Sequence, residues 1–108
     1  MTHDEIAQMG ADALNAAIDT LKGITHGEEI GTLLGFPVAY IPKKWATNIA
    51  AAWELGEEFP EWSAGKYPSG YRFIGWDYRD GELYKAAEEY GQSIEIAICR
   101  AYLMWKQG

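Results

Sequence analysis

"YRFIGWDYRDGELYKAAEE", residues 71–89, decides between a helical protein and one built around a sheet. Tyr71 and Phe73 alternate, continued by Gly75 or by the neighbouring Trp76, and such alternation marks an aromatic strand. "RDGE" (Arg79–Glu82) then reads as a tight turn, because Gly81 supplies the positive φ that the turn requires. The returning limb "ELYKAAEE" is ambiguous. Its residues favour a helix when taken alone, whereas its place directly after a turn makes it the partner of the preceding strand. The turn decides for a hairpin.

Helical patterns lie on both sides. "THDEIAQMGADALNAAIDTLKG" (residues 2–23) predicts a helix capped by Thr2, with Glu5 three residues on as in a capping box. Asp4 and Glu5 sit at its positive end. Ile6, Met9, Ala13, Leu14, Ala17, Ile18 and Leu21 form its apolar stripe, and Lys22 and Gly23 mark its stop. Gly10 weakens the middle by ~1 kcal/mol relative to alanine. A second helix is expected from about Asn48 to Glu58, with Thr47 as N-cap and Ile49, Ala52 and Trp53 buried. The closing "GQSIEIAICRAYLMWKQG" (91–108) predicts a third, capped near Gln92 or Ser93. Its stripe of Ile94, Ala97, Ile98, Ala101, Tyr102 and Trp105 is thickened by Ile96, Cys99 and Leu103, so it should be buried on more than one side.

Between these elements, "ITHGEEIGTLLGFPVAYIPKKW" (24–45) is broken by glycine and proline, with a short edge strand expected at 38–41. Its Leu33, Leu34, Phe36, Val38, Tyr40 and Ile41 are too apolar for a solvated loop. "SAGKYPSG" (63–70) reads as a loop. Helices before and after a small antiparallel sheet give one α+β domain over residues 1–108, with helices packed on the sheet in an α/β/α-type layered sandwich.

Three stretches also carry a family resemblance. "MTHDEIAQMGADALNAAIDTLKG", "IPKKWATNIAAAWEL" and "IEIAICRAYL" together resemble the phage ABA sandwich family of small phage and prophage proteins. The matches centre on Thr47, Ile49, Ala50, Ala51, Ala52, Trp53 and Glu54, and on Ala97, Ile98, Cys99, Arg100 and Ala101. The resemblance implies a phage or prophage origin and a fold of helix, sheet and helix layers. It implies no catalytic residue.

Composition bounds the function. The chain has 108 residues, 16 acidic and 9 basic, for a net charge of −7. That sign opposes direct binding to nucleic acid or to an anionic membrane, and suits a basic protein partner. The lone Cys99 cannot close an internal disulfide, no apolar run reaches membrane-spanning length, and the start lacks a signal peptide's pattern. The cytoplasm of a host bacterium is the expected location.

Reactive chemistry finds no footing. His3 and His26 lack the spacing of metal ligands, Cys99 sits on an apolar helix, and "GTLLGFP" lacks the lysine of a phosphate loop. No enzyme activity, metal or cofactor is expected. Arg100, beside a wide apolar stripe, reads as one half of an ion pair tying the last helix to another layer.

The acids are more informative. Glu54, Glu57, Glu58 and Glu61 would share one face if the second helix continued, and Trp62 follows them. Like charges at i,i+4 oppose a helix by about 0.2–0.5 kcal/mol each. A solvated end is the simpler account. The neighbouring Phe59, Trp62, Tyr67 and Tyr71 argue instead for a contact surface, with a second acidic group of Asp77, Asp80, Glu82, Glu88 and Glu89 around the hairpin. The candidate partner-binding residues are therefore Glu54, Glu57, Glu58, Glu61, Trp62, Asp77, Asp80 and Glu82.

The reading that joins these features is a phage-encoded inhibitor of bacterial antiviral defence, of the anti-CRISPR kind, docking on a basic nucleic-acid-binding effector of the host. Two alternatives accompany it. One is a virion assembly accessory that self-associates, as a homodimer, through the flat alanine-rich first helix. The other is a protein that sequesters a nucleotide signal, with Arg72, Arg79 and Lys66 as its phosphate contacts.

Overall fold

In the computed structural model, which describes residues 2–23, 29–33, 36–39 and 43–107, the "RDGE" turn forms as its residues demand. Asp80 and Gly81 have φ of 54° and 80°, the two positive values of a type I′ hairpin turn. The elements in chain order are α1 (His3–Gln8), α2 (Ala11–Leu21), β1 (Glu29–Leu33), β2 (Phe36–Ala39), α3 (Ile49–Gly56), β3 (Glu61–Tyr67), β4 (Gly70–Arg79), β5 (Glu82–Gly91) and α4 (Ile94–Gln107). β3, β4 and β5 make a three-stranded antiparallel meander, and β1 and β2 a separate antiparallel pair. The fold is α+β, a small antiparallel sheet with helices packed on it.

Several local expectations are corrected. The first helix is two: α1 ends at Gln8, and α2 restarts behind Gly10, which serves as its N-cap. Thr2 does cap α1, accepting a hydrogen bond from the Glu5 amide at 3.2 Å. Ala13 and Leu21 are exposed, while Asp19 is buried next to Ile18. α3 is capped by Asn48 rather than Thr47, since the Asn48 carboxamide accepts from the amides of Ala50 and Ala51. Its buried side is Ala51, Ala52, Leu55 and Gly56; Ile49 is exposed. Residues 63–67 of the expected loop belong to β3, leaving Pro68 and Ser69 as the turn. The expected strand at 38–41 overlaps β2 only at Val38 and Ala39; Tyr40, Ile41, Leu34 and His26 lie outside the described residues.

α4 organises the core. It lies against β4 and β5 and receives α3, α2 and α1, so Ala97, Ile98, Cys99, Ala101, Tyr102 and Leu103 are all buried, as the wide apolar surface requires. Ser93 caps it, accepting from the Ile96 amide at 3.3 Å. The opposite wall is aromatic. Phe73, at the middle of the central strand, is fully buried beside Phe59, with Trp53 and Trp62 around it.

α2 is fastened to the segment before α3 by two polar links. The buried Trp45 Nε1 donates to Asp19 Oδ1 at 2.8 Å, and the Ala46 amide donates to Asn15 Oδ1 at 2.8 Å. A hydrogen bond to a charged acceptor contributes about 1.5–3 kcal/mol. Trp45→Phe, which keeps the ring and removes the donor, is expected to lose a comparable amount in urea unfolding; an unchanged midpoint would show that the link carries no stability.

Candidate docking face

The pleat of β4 sorts its side chains. Phe73 and Gly75 face the helices, opposite Glu89 and Ala87 of β5. Asp77 does too, since its Oδ2 accepts from Trp105 Nε1 of α4 at 3.0 Å. By alternation, Arg72, Ile74, Trp76 and Tyr78 point the other way. Their partners on β3 are Gly65, Ser63 and Glu61. The extra residue that β5 carries opposite Gly75–Trp76 is a β-bulge, beyond which Lys85 and Leu83 replace Glu88 and Tyr90 on the same outward face. Among the described residues no helix makes a principal contact with this face, and Tyr78, Leu83, Tyr90 and Tyr67 are exposed there.

Its central charges are paired with one another. Glu88 accepts from Lys85 Nζ at 2.8 Å and from the Tyr90 hydroxyl at 3.0 Å, with Arg72 Nη1 at 3.9 Å. The Lys85 and Tyr90 hydrogen bonds hold the Glu88 carboxyl below its ordinary range. The Arg72 guanidinium also lies over the Tyr67 ring, 5.0 Å from its centroid. The outcome is an aromatic and aliphatic surface whose one central carboxylate is paired with two cations, Lys85 and Arg72. Two acids, Glu61 on β3 and Asp80 in the hairpin turn, stand at its rim.

The sequence-predicted site residues divide accordingly. α3 stops at Gly56, so the glutamates do not share a helical face. Glu54 is met by Lys43 at 2.6 Å. Glu58 accepts from Lys22 Nζ at 3.0 Å and from the Tyr102 hydroxyl at 3.1 Å, a structural bracket between α2, α4 and the end of α3. Glu57 is exposed on the helix side. Trp62 lies over Trp53, centroids 4.7 Å apart, and closes the core edge. Asp77 is tied to Trp105. Glu61 and Asp80 remain as acids at the outward rim, whereas Glu82, opposite Arg79 and next to the outward Leu83, alternates to the helix side. The face itself was missed because Ile74 and Trp76 look as buried in sequence as Phe73.

The other chemically notable groups are held within the fold. Cys99 is buried, and burial pushes its thiol up to about 12, away from nucleophilic use. Among the described residues no three of His, Cys, Asp and Glu gather as metal ligands, and no helix is long and apolar enough to cross a membrane. Arg100 does tie α4 to other layers, but through backbone carbonyls, those of Tyr90 at 2.7 Å and Met9 at 3.0 Å, rather than through the expected ion pair. Arg72 and Arg79 are apart, the second resting on the Tyr84 ring at 4.6 Å, so the expected phosphate cluster with Lys66 does not assemble around one pocket.

Glu89, like Asp19, is a buried acid; it lies on the helix side with His3 Nε2 2.6 Å away. Burial raises its carboxyl above the ordinary range, partly offset by His3 and Arg100. The folded protein therefore holds this proton more tightly than the unfolded chain. Its contribution to stability is present in full below the ordinary carboxylate range and is lost as pH rises through the raised value. Glu89→Gln is expected to remove that decline, measured as the difference between wild-type and variant unfolding curves from pH 4 to 7. A flat difference would contradict the raised carboxyl.

No family model matches the chain, and no curated protein matches it. Among solved structures, the chain is similar to that in a 2.0 Å crystal structure of a phage protein from Bacillus cereus ATCC 14579, with a TM-score of 0.59. Sequence identity is 17%, over 90% of this chain and 92% of that one. The chain therefore shares the fold of a phage protein.

Proposed function

We propose that the protein is a phage-type accessory protein that acts by docking, and that its docking surface is the uncovered face of the β3–β4–β5 sheet. The observation that carries this reading is the outward row Ile74, Trp76, Tyr78 and Leu83, an apolar and aromatic surface on the side of the sheet without helices. Aromatic centres with polar rims are the usual anatomy of protein interfaces. The rim acids Glu61 and Asp80, with a net charge of −7, favour a basic protein partner and steer it from a distance. The similarity in fold to a phage protein supports the phage-type reading, and its concrete form is an inhibitor of a host antiviral effector whose own nucleic-acid-binding surface is basic.

The test is phage plating on bacteria that express this protein beside a nucleic-acid-binding defence effector. Plating efficiency should rise with the wild-type chain and stay at the defended level with Trp76→Ser/Tyr78→Ser. Equal protection by that double variant would remove the sheet face from the function. No rise with any effector tested would remove the inhibitor reading.

A further inference from the structure

A second surface feature lies at the end of the sheet away from the Asp80–Gly81 turn. There the β3–β4 turn meets the junction of β5 with α4, and a pocket of about 370 Å³ opens between them. That is the lower end of the size range of small-molecule sites, roughly 300–1,000 Å³. Two glycines bring its walls together. Gly70 has φ of 140°, and a methyl group there would lie 2.6 Å from the Gly91 carbonyl oxygen; one on Gly91 would lie 2.8 Å from the Ala97 amide nitrogen.

The lining has a distinct chemistry. Tyr67, Tyr71 and Tyr90 provide rings, and Ser69 and Gln92 provide neutral polar groups. Arg100 is the one charged side chain among the described residues that line it. Its guanidinium is pinned by neutral acceptors, the carbonyls of Tyr90 and Met9. Each of those two nitrogens carries a second hydrogen; the Nε, which has no partner, is buried out of a ligand's direct reach. The neighbouring carboxylate, Glu89, is turned to His3 at 2.6 Å. A cation held rigidly on carbonyls beside a pocket has donor capacity left for an anion.

We propose that this pocket binds an oxyanion, phosphate or carboxylate, carried on a flat ring. Arg100 holds the anion, and the tyrosines flank the ring. Tyr90 and Tyr67 are exposed and so form the outer walls, whereas Tyr71 is half-buried against the core. The chain's net charge of −7 opposes anions at long range, so selection occurs through contact within the pocket. The pocket shares Tyr67 and Tyr90 with one end of the docking face, but Trp76 and Tyr78, the residues that test that face, do not line it, so the two readings fail separately.

The intact chain, labelled for NMR, would be titrated with AMP, 4-hydroxybenzoate, adenosine and inorganic phosphate. AMP or 4-hydroxybenzoate should shift the Gly70, Gly91 and Gln92 amides and the Arg100 Nε–H saturably. A response to AMP alone assigns the phosphate source, and a response to the benzoate alone assigns the carboxylate. Adenosine and phosphate should bind at least about tenfold more weakly, and Arg100→Gln should weaken binding on the order of tenfold to a hundredfold. Because Arg100 also braces α1 and β5, a second variant is needed: Ser69→Trp, in an exposed turn, fills the mouth and leaves the arginine in place. Binding by that variant equal to wild type would overturn the proposal. So would adenosine or phosphate binding as well as the ring-borne anion, or no shift with any of the four compounds at millimolar concentration.

Discussion

Phe73→Ala is expected to lose about 3–5 kcal/mol, the usual result of emptying a fully buried phenylalanine site. Phe73 has no exposed surface and sits where all the layers meet. Its ring centroid is 5.6 Å from Phe59, 6.1 Å from Trp62 and 6.4 Å from Trp53. Gly56 of α3 presses on it closely enough that a methyl there would touch its ring at 3.4 Å. Small domains have only about 5–15 kcal/mol of stability in total, so this single truncation removes a large share. Phe73→Leu, which keeps most of the volume, should cost less than about 1.5 kcal/mol. Urea unfolding of the two variants checks both; a loss below about 1 kcal/mol for the alanine would place the centre of the core elsewhere.

Gly75→Ala is the second large effect, and it adds only a methyl group. That methyl would stand 2.3 Å from both Cδ1 and Cε1 of Phe59, so something must move. Phe59 is held on several sides. It is buried, packs on Phe73 and stacks on Trp105 with centroids 4.2 Å apart. Trp105 is itself fixed by Asp77. Overpacking of this kind costs about 1–3 kcal/mol, and the rigid ring puts Gly75→Ala at the upper end. Removing the obstacle gives the check: in Gly75→Ala/Phe59→Ala the loss should fall short of the two single losses added together, by roughly 0.5–3 kcal/mol. Additive losses would mean that the clash is relieved by the backbone.

How much of this was legible depended on whether the cause was local. The hairpin was, because Asp80–Gly81 carries its own turn geometry and overrides the helical propensity of "ELYKAAEE". The burial of α4 was, because its apolar surface is too wide for one neighbour. β3 was not: Gly65 and the nearby Pro68 resemble a loop, and the strand exists through its pairing with β4. The acidic series does not form one helical face, for a related reason. Its spacing describes a face only while the helix lasts, and α3 ends at Gly56, after which Glu58 turns inward to Lys22 and Tyr102. The open face was hidden because β4 is apolar on both sides, and only the positions of the helices reveal which side they cover. Arg100 was seen as an anchor, but its carbonyl partners come from α1 and β5, which no local pattern could pair.

Capture from host cells, comparing variants of the two sides of the sheet, tests the central claim most directly. Tagged wild-type chain, Trp76→Ser/Tyr78→Ser and the helix-side Glu57→Lys would each be purified and shown to melt alike before use. If the uncovered sheet face is the working surface, a basic protein retained by the wild type is retained equally by Glu57→Lys and lost with the double variant. Retention by the double variant, or loss with Glu57→Lys alone, would place the contact on the helix side and contradict the account.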